Sequence, residues 1–178
     1  MPQAAGDEAL KELVVDLYEA YYRPLFAYVY RLVGEAQWAQ DLVQETFLRL
    51  YRERQKLAKV QNHRAWAYRM ASNVTFTALR RGRRGLQLSW QQVEALAPPR
   101  ADPTAAAGEE QIALERALAS LPPHYRARLL LHSYCGFPIA DVAAALELTE
   151  TAVTTRIYRA KKMFREAYEP TQERGNKP

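Results

Sequence analysis

With one cysteine, three histidines and seven glycines in 178 residues, the sequence has little material for several common chemistries. The lone thiol, Cys135, excludes a disulfide framework and any multi-cysteine zinc site. His124, His132 and Cys135 are spaced eight and three apart, and zinc would want a fourth ligand and tighter spacing. Cys135 lies among small apolar residues before Gly136, the setting of a buried structural thiol. No Ser-His-Asp set, paired carboxylates or glycine-rich phosphate loop stands out, so neither an enzyme nor a cofactor is expected. No run approaches the roughly 18 apolar residues of a membrane span, and Met1–Gly6 lacks a basic stretch leading into an apolar one. The expectation is a cytoplasmic chain without a signal peptide or membrane insertion.

Strand-like alternation is also missing. Apolar residues recur at helical spacing instead. Asp7 is placed to cap a first helix carrying Leu10, Leu13, Val14, Leu17 and Tyr21. Pro24 should end or kink it before Leu25, Tyr28, Val29 and Leu32 resume the period and Gly34 stops it. A second helix is predicted over Ala36–Lys56, a polar loop over Leu57–Asn62, and a third helix from Arg64 to the arginines before Gly85. The stretch from Gln87 to Gly108, with Pro98, Pro99, Pro103 and a small-residue run, has linker composition. Four more helical patterns follow, over Ile112–Leu121, His124–Tyr134, Ile139–Leu146 and Glu150 to about Tyr168, and the remainder from Pro170 reads as a frayed tail. The fold class is therefore all-α: two small helical domains, residues 1–85 and 109–170, joined by a flexible linker over 86–108, with a tail over 171–178.

The net charge of +5 is modest, but it is unevenly distributed. Residues 1–60 carry −1, residues 61–90 carry +6 with no acid at all, residues 91–120 carry −3, residues 121–148 balance, and residues 149–178 carry +3. Two basic blocks separated by an acidic stretch suit a polyanion contacted at two places.

Three motifs refine this. Between Phe137 and Lys162, a short helix (Ile139, Val142, Ala143, Leu146), a turn and a Thr149-capped helix lay out a helix-turn-helix. The second helix offers Thr154, Thr155, Tyr158, Arg159 and Lys162 outward, hydroxyls and guanidinium for base edges and lysine for phosphate. A solvated basic face on a core helix pair is the alternative. Trp66 to Asn73, running into Arg80, Arg81, Arg83 and Arg84, interleaves aromatics with bases, which suits melted nucleic acid. It equally suits a core tryptophan and an ordinary basic helix end. Asp41, Gln44, Glu45 and Leu48 share one helical face that fits a protein partner or a solvated surface.

The order of these motifs resembles bacterial sigma factors of the extracytoplasmic-function group of the sigma-70 family. Tyr22-Arg23-Pro24-Leu25-Phe26-Ala27-Tyr28 resembles the family's opening helices, and Asp41-Leu42-Val43-Gln44-Glu45-Thr46-Phe47 matches its D-x-x-Q-E-x-F signature. Arg64 to Asn73 resembles R-A-W-L-Y-R-I-A-R-N, Leu118 to Pro123 is similar to A-L-x-x-L-P-P, and Ala152 to Ala160 resembles T-V-x-S-R-L-x-R-A. The resemblance runs through nearly all of residues 10–168. It implies that Asp41, Gln44, Glu45 and Leu48 meet the β′ clamp helices of core RNA polymerase. It implies a melted −10 element at Lys59, Gln61, Asn62, His63, Trp66 and Asn73, and a duplex −35 element at Thr154, Thr155, Arg156, Tyr158, Arg159 and Lys162. Polymerase contact also at the β flap, and an anti-sigma protein covering the same surfaces, belong to the same implication. The chain departs from the family at Thr77, often aspartate there, and at Glu147, usually the turn glycine. It also departs at Pro138, where a polar residue is common, and in a short −10 loop without Phe-x-Gly. Glu147 must avoid a left-handed backbone or strain into it. A stand-alone helix-turn-helix regulator would use residues 110–168 and leave the other two motifs idle. A nuclease would need clustered carboxylates that the 61–90 block does not have.

Overall fold

The computed structural model describes residues 2–82 and 105–175. Every regular element among them is helical, as the missing alternation implied. In the first half these are α1 (Pro2–Val33), α2 (Ala36–Arg52), the short α3 (Arg54–Leu57) and α4 (His63–Arg81). In the second half they are α5 (Ala105–Ser120), α6 (Pro123–Leu129) continuing into a π-turn (Leu130–Tyr134), α7 (Ile139–Leu146) and α8 (Glu150–Gly175).

Several boundaries differ from expectation for visible reasons. Asp7 does not cap α1. It lies inside the helix, and its carboxylate accepts from Arg54 Nε at 2.8 Å, Arg54 Nη2 at 3.0 Å and Gln55 Nε2 at 3.0 Å. That guanidinium holds the Asp7 carboxyl below its ordinary value. Pro24 is carried within the helix, where neighbouring Leu25 is wholly buried. Packing on both sides of the proline outweighs the one backbone bond it removes. Gly34 does stop α1, with φ of 77° and its N–H on the Tyr30 carbonyl at 2.7 Å. The predicted second helix breaks at Glu53 into α2 and α3. Ala105–Gly108, expected in the linker, form the first turn of α5. The tail from Pro170 continues α8 as far as Gly175. Residues 83–104, which include Arg83 and Arg84 of the expected third helix and the rest of the expected linker, lie outside the described residues.

In the first half, α2 and α4 pack on α1 around Leu25, Tyr28, Val29, Leu32, Val43, Leu50 and Ala71. Burial of each large apolar side chain of this kind contributes about 1.5–3 kcal/mol. Tyr28 is fully enclosed, and its hydroxyl hydrogen-bonds Ser72 Oγ at 2.8 Å, which answers the polar group that burial would otherwise orphan. In the second half, α5 and α6 pack on α8, and α7 crosses α8 through Val142, Ala143, Val153 and Ile157. Ala143 supplies the small side chain this crossing requires.

The two halves also touch. Tyr28 meets Tyr68 at 5.4 Å, and Tyr68 meets Phe137 edge-on at 4.9 Å, so an aromatic chain runs from the first core into the second. Arg126 of α6 is the polar counterpart. Its guanidinium donates to the carbonyls of Leu32 at 3.0 Å and Arg31 at 3.3 Å, and also to those of Leu121 and Ala119. The C-terminal ends of α1 and α5 thus share one cation, and helix dipoles favour a positive charge there. Burial without a carboxylate partner pushes the Arg126 guanidinium down to about 10.

Candidate polymerase and nucleic-acid interfaces

Three surfaces hold the residues singled out in the sequence. The first is the outer face of α2. Glu35 caps this helix, its carboxylate accepting from the backbone N–H of Gln37 at 2.9 Å and Trp38 at 2.8 Å. The cap fixes the register that turns Leu42, Val43, Thr46, Phe47 and Leu50 inward. Asp41 and Gln44 are therefore fully outward, Leu48 is 52% exposed, and Glu45 is half-buried in an ion pair with Arg49 at 2.7 Å. Tyr51, one turn beyond Phe47 on the same helix, is 43% exposed and extends the outer surface. An exposed leucine flanked by acids is a surface that a basic or amphipathic helix can cover.

The second surface is the start of α4. Asn62 is its N-cap, accepting from Ala65 N at 2.9 Å, which orients the preceding loop. Lys59 and Gln61 stand in solvent. His63 is half-buried with Nε2 3.3 Å from the Leu57 carbonyl oxygen, and Trp66 is half-buried against the core. Asn73 lies two turns further along, at a cleft of about 680 Å³ between α4 and the second half. These six residues do not form one open face. Arg64 and Arg69, next to them on α4, are turned toward the second half. Arg64 donates to the Cys135 carbonyl and stacks 4.2 Å over the Phe137 ring, and Arg69 pairs with Glu147. Cys135 is half-buried beneath this contact, and burial pushes its thiol up to about 11, away from the reactive thiolate.

The third surface is α8. Thr149 Oγ1 accepts from Ala152 N at 3.2 Å, the expected cap. Glu147 takes the left-handed conformation, with φ of 54° and ψ of 48°, where a glycine would sit without cost. A side chain there costs roughly 1–2 kcal/mol. Behind this turn Thr154, Thr155, Arg159 and Lys162 face solvent, and Tyr158 is 72% exposed. The two threonine hydroxyls each donate at 2.9 Å to a carbonyl one turn back, leaving their oxygens to accept. Lys162 is 3.8 Å from Glu166, a loose pair that a phosphate could replace. Arg156 differs from the rest. It is half-buried near His124 and Arg128 of α6, whose pKa values are lowered first by burial, with the Arg156 charge adding to both shifts.

Sequence reasoning did not single out Arg126 or the pairing of α4 with the second half. A signal for Arg126 was present, since it stands three and four residues before buried Leu129 and Leu130 and so falls on an apolar face. The pairing had a fainter one: Asp141 and Glu147 are the only acids in residues 121–148, while residues 61–90 have none.

Comparison with known proteins gives these surfaces a context. The family profile described as Sigma-70 region 2 matches residues 17–85, and that described as Sigma-70, region 4 matches residues 111–164. The chain is 32% identical over 167 residues to the ECF RNA polymerase sigma factor SigG of Mycobacterium tuberculosis, an alignment covering 80% of this chain and 45% of SigG. It is 29% identical over 164 residues to SigL of the same species, covering 91% of this chain and 90% of SigL. It thus spans less than half of SigG but nearly all of SigL. The sigma factor RpoE of Bartonella quintana, solved in complex with the anti-sigma factor NepR, shares the fold with a TM-score of 0.66. That match is at 22% identity and covers 89% of this chain and 98% of that one.

Proposed function

The chain belongs to the sigma-70 family, in the extracytoplasmic-function group, and we propose that it serves as a promoter-recognition subunit of RNA polymerase in the cytoplasm. In this reading the outer face of α2 binds the polymerase core through Asp41, Gln44, Glu45 and Leu48, with a clamp helix of the β′ subunit as its counterpart. The second half engages the β flap and lays α8 against duplex −35 DNA. Arg159 and Tyr158 reach base edges, Thr154 and Thr155 offer acceptors, and Lys162 and Arg156 reach phosphates. The start of α4 receives unstacked −10 bases, with Trp66 as the stacking surface and Lys59, Gln61, Asn62, His63 and Asn73 as polar contacts. Neither small surface needs high affinity alone, because polymerase fixes their spacing and raises the effective concentration of each for its element. No bond is made or broken by the chain itself.

The observation that supports this most is the coexistence, in one chain, of an outward acidic-leucine stripe on α2 and an outward basic-hydroxyl face on α8. A stand-alone duplex-binding regulator has use for the second only. Sequencing the DNA retained by core polymerase with and without the chain tests the reading. Enrichment of fragments sharing two elements at a fixed separation is expected, and retention no different from core alone would refute it.

A further inference from the structure

The geometry points to a small-molecule site in the cleft between α4 and α6, where a nucleoside phosphate would set its phosphates on Arg128 and its base on an apolar wall. The site does not depend on the promoter reading. Asn73 is the one cleft residue that it shares with the surfaces assigned to DNA. The carrying observation is how two buried arginines of α6 are answered. Both Nε atoms are buried without a partner. Arg126, however, holds four carbonyls with its terminal nitrogens. Arg128 is equally buried, at 7% exposure, and donates through Nη1 only to the His124 carbonyl one turn back. Among the described residues no carboxylate pairs with it. A guanidinium removed from water and given one neutral acceptor is costly, and an entering anion would supply what it lacks.

The surroundings of Arg128 fit that anion. The cleft it lines measures about 680 Å³, inside the roughly 300–1,000 Å³ range of small-molecule pockets. His124 and Arg80 line the same cleft, and both are exposed at its mouth. Arg156, half-buried nearby, adds its charge to that of Arg128. Glu147 is the one carboxylate in the lining, and it is already paired with Arg69. Positive charge therefore gathers here without a free counter-charge. Nε and Nη2 form the edge of a guanidinium that takes a phosphate through two parallel N–H bonds, and Arg128 Nε has no other acceptor. Phe76 and Leu79 of α4 and Leu146 of α7 line the rest of the cleft. Inorganic phosphate would leave that wall unused, whereas a nucleoside phosphate would set a flat base against it. A terminal phosphate can also reach a group as deep as Arg128. A phosphodiester within a strand carries a sugar on each side and is too bulky to follow.

Calorimetric titration of the full chain with ATP, inorganic pyrophosphate and adenosine tests the site. ATP should saturate at one molecule per chain and bind about 10-fold or more tightly than either fragment, because each fragment makes only part of the contacts. Arg128→Met keeps an unbranched stem and removes the donors, so it should weaken ATP by about 10-fold or more. Arg165→Gln removes the same charge from an exposed position of α8 and should change ATP affinity by less than about 2-fold. Absence of saturable ATP binding up to roughly 1 mM would overturn the site. Equal weakening by the two variants would overturn it as well, since attraction to net charge would then suffice. Pyrophosphate binding as tightly as ATP would overturn the placing of a base on the apolar wall. Displacement of ATP by oligothymidylate from the unaltered chain, lost in Arg128→Met, would give the cleft to a strand and overturn the small ligand. Should Arg128→Met not fold, Arg80→Gln with His124→Gln, both at exposed positions, must weaken ATP several-fold, and unchanged affinity would equally overturn the proposal.

Discussion

The start of α4 and the outer face of α8 are both basic, both begin at a side-chain cap, and both are assigned here to promoter DNA, yet the folded chain treats them oppositely. The cap of α8 is Thr149, bonded only to its own helix, and the residues behind it point into solvent. The cap of α4 is Asn62, which also reaches across to Asp141, and the arginines behind it are spent on Cys135, Phe137 and Glu147. Local sequence makes each helix start. What lies opposite decides whether its face is available. Duplex DNA exists before polymerase acts, so an open duplex reader has a target at once.

The largest expected effect separates polymerase binding from both DNA faces. Asp41→Lys with Glu45→Lys reverses the charge of the α2 stripe and should weaken association with core polymerase on the order of 100-fold or more. Asp41 is exposed and Glu45 gives up only a partly exposed i,i+4 ion pair with Arg49, so stability should move by less than about 1 kcal/mol. Co-sedimentation with core polymerase and a denaturation curve check the two halves of that statement.

Next is the joint between the halves. Arg126→Leu leaves the carbonyls of Arg31, Leu32, Ala119 and Leu121 without their shared donor and should cost about 2–4 kcal/mol. Urea unfolding measures it. A loss below about 0.5 kcal/mol would mean that water replaces the guanidinium and that the other contacts between the halves hold the joint.

A smaller effect should fall on the open face only. Arg159→Ala should reduce discrimination among −35 variants by ~1–3 kcal/mol while leaving single-strand affinity unchanged. Competition binding with a panel of duplexes checks this, and equal loss on all duplexes would reassign Arg159 to phosphate. Last comes Glu147→Gly. Relief of the left-handed strain and loss of a screened ion pair oppose each other, so net stability should change by less than about 1 kcal/mol.

These comparisons also show what could be read from the sequence. The helices were legible wherever one face is buried. Ile139–Leu146 appears with the predicted ends because Val142 and Ala143 must face α8 and Pro138 sets its start. Thr149 acts as the predicted cap for the same local reason. Asp7 was misread because a cap and an inward carboxylate look alike until Arg54, 47 residues away, is known to be its partner. Pro24 does not end the helix, because the packing of Leu25 outweighs a local cost that was all the sequence displayed. The last part of α8 looked like tail because its helix lacks a strong apolar period beyond Tyr168. The outward stripes of α2 and α8 needed only helix periodicity. The covering of α4 needed two acids more than 70 residues from their partners, and no periodicity encodes that.

The central claim is that this chain tells polymerase where to begin. Mapping transcript 5′ ends made by core polymerase on genomic DNA, with and without the chain, tests it most directly. The account predicts new start sites, each preceded by one shared duplex element and one shared melted element at constant spacing, and their loss with Asp41→Lys/Glu45→Lys. Start sites unchanged from core polymerase alone would contradict it.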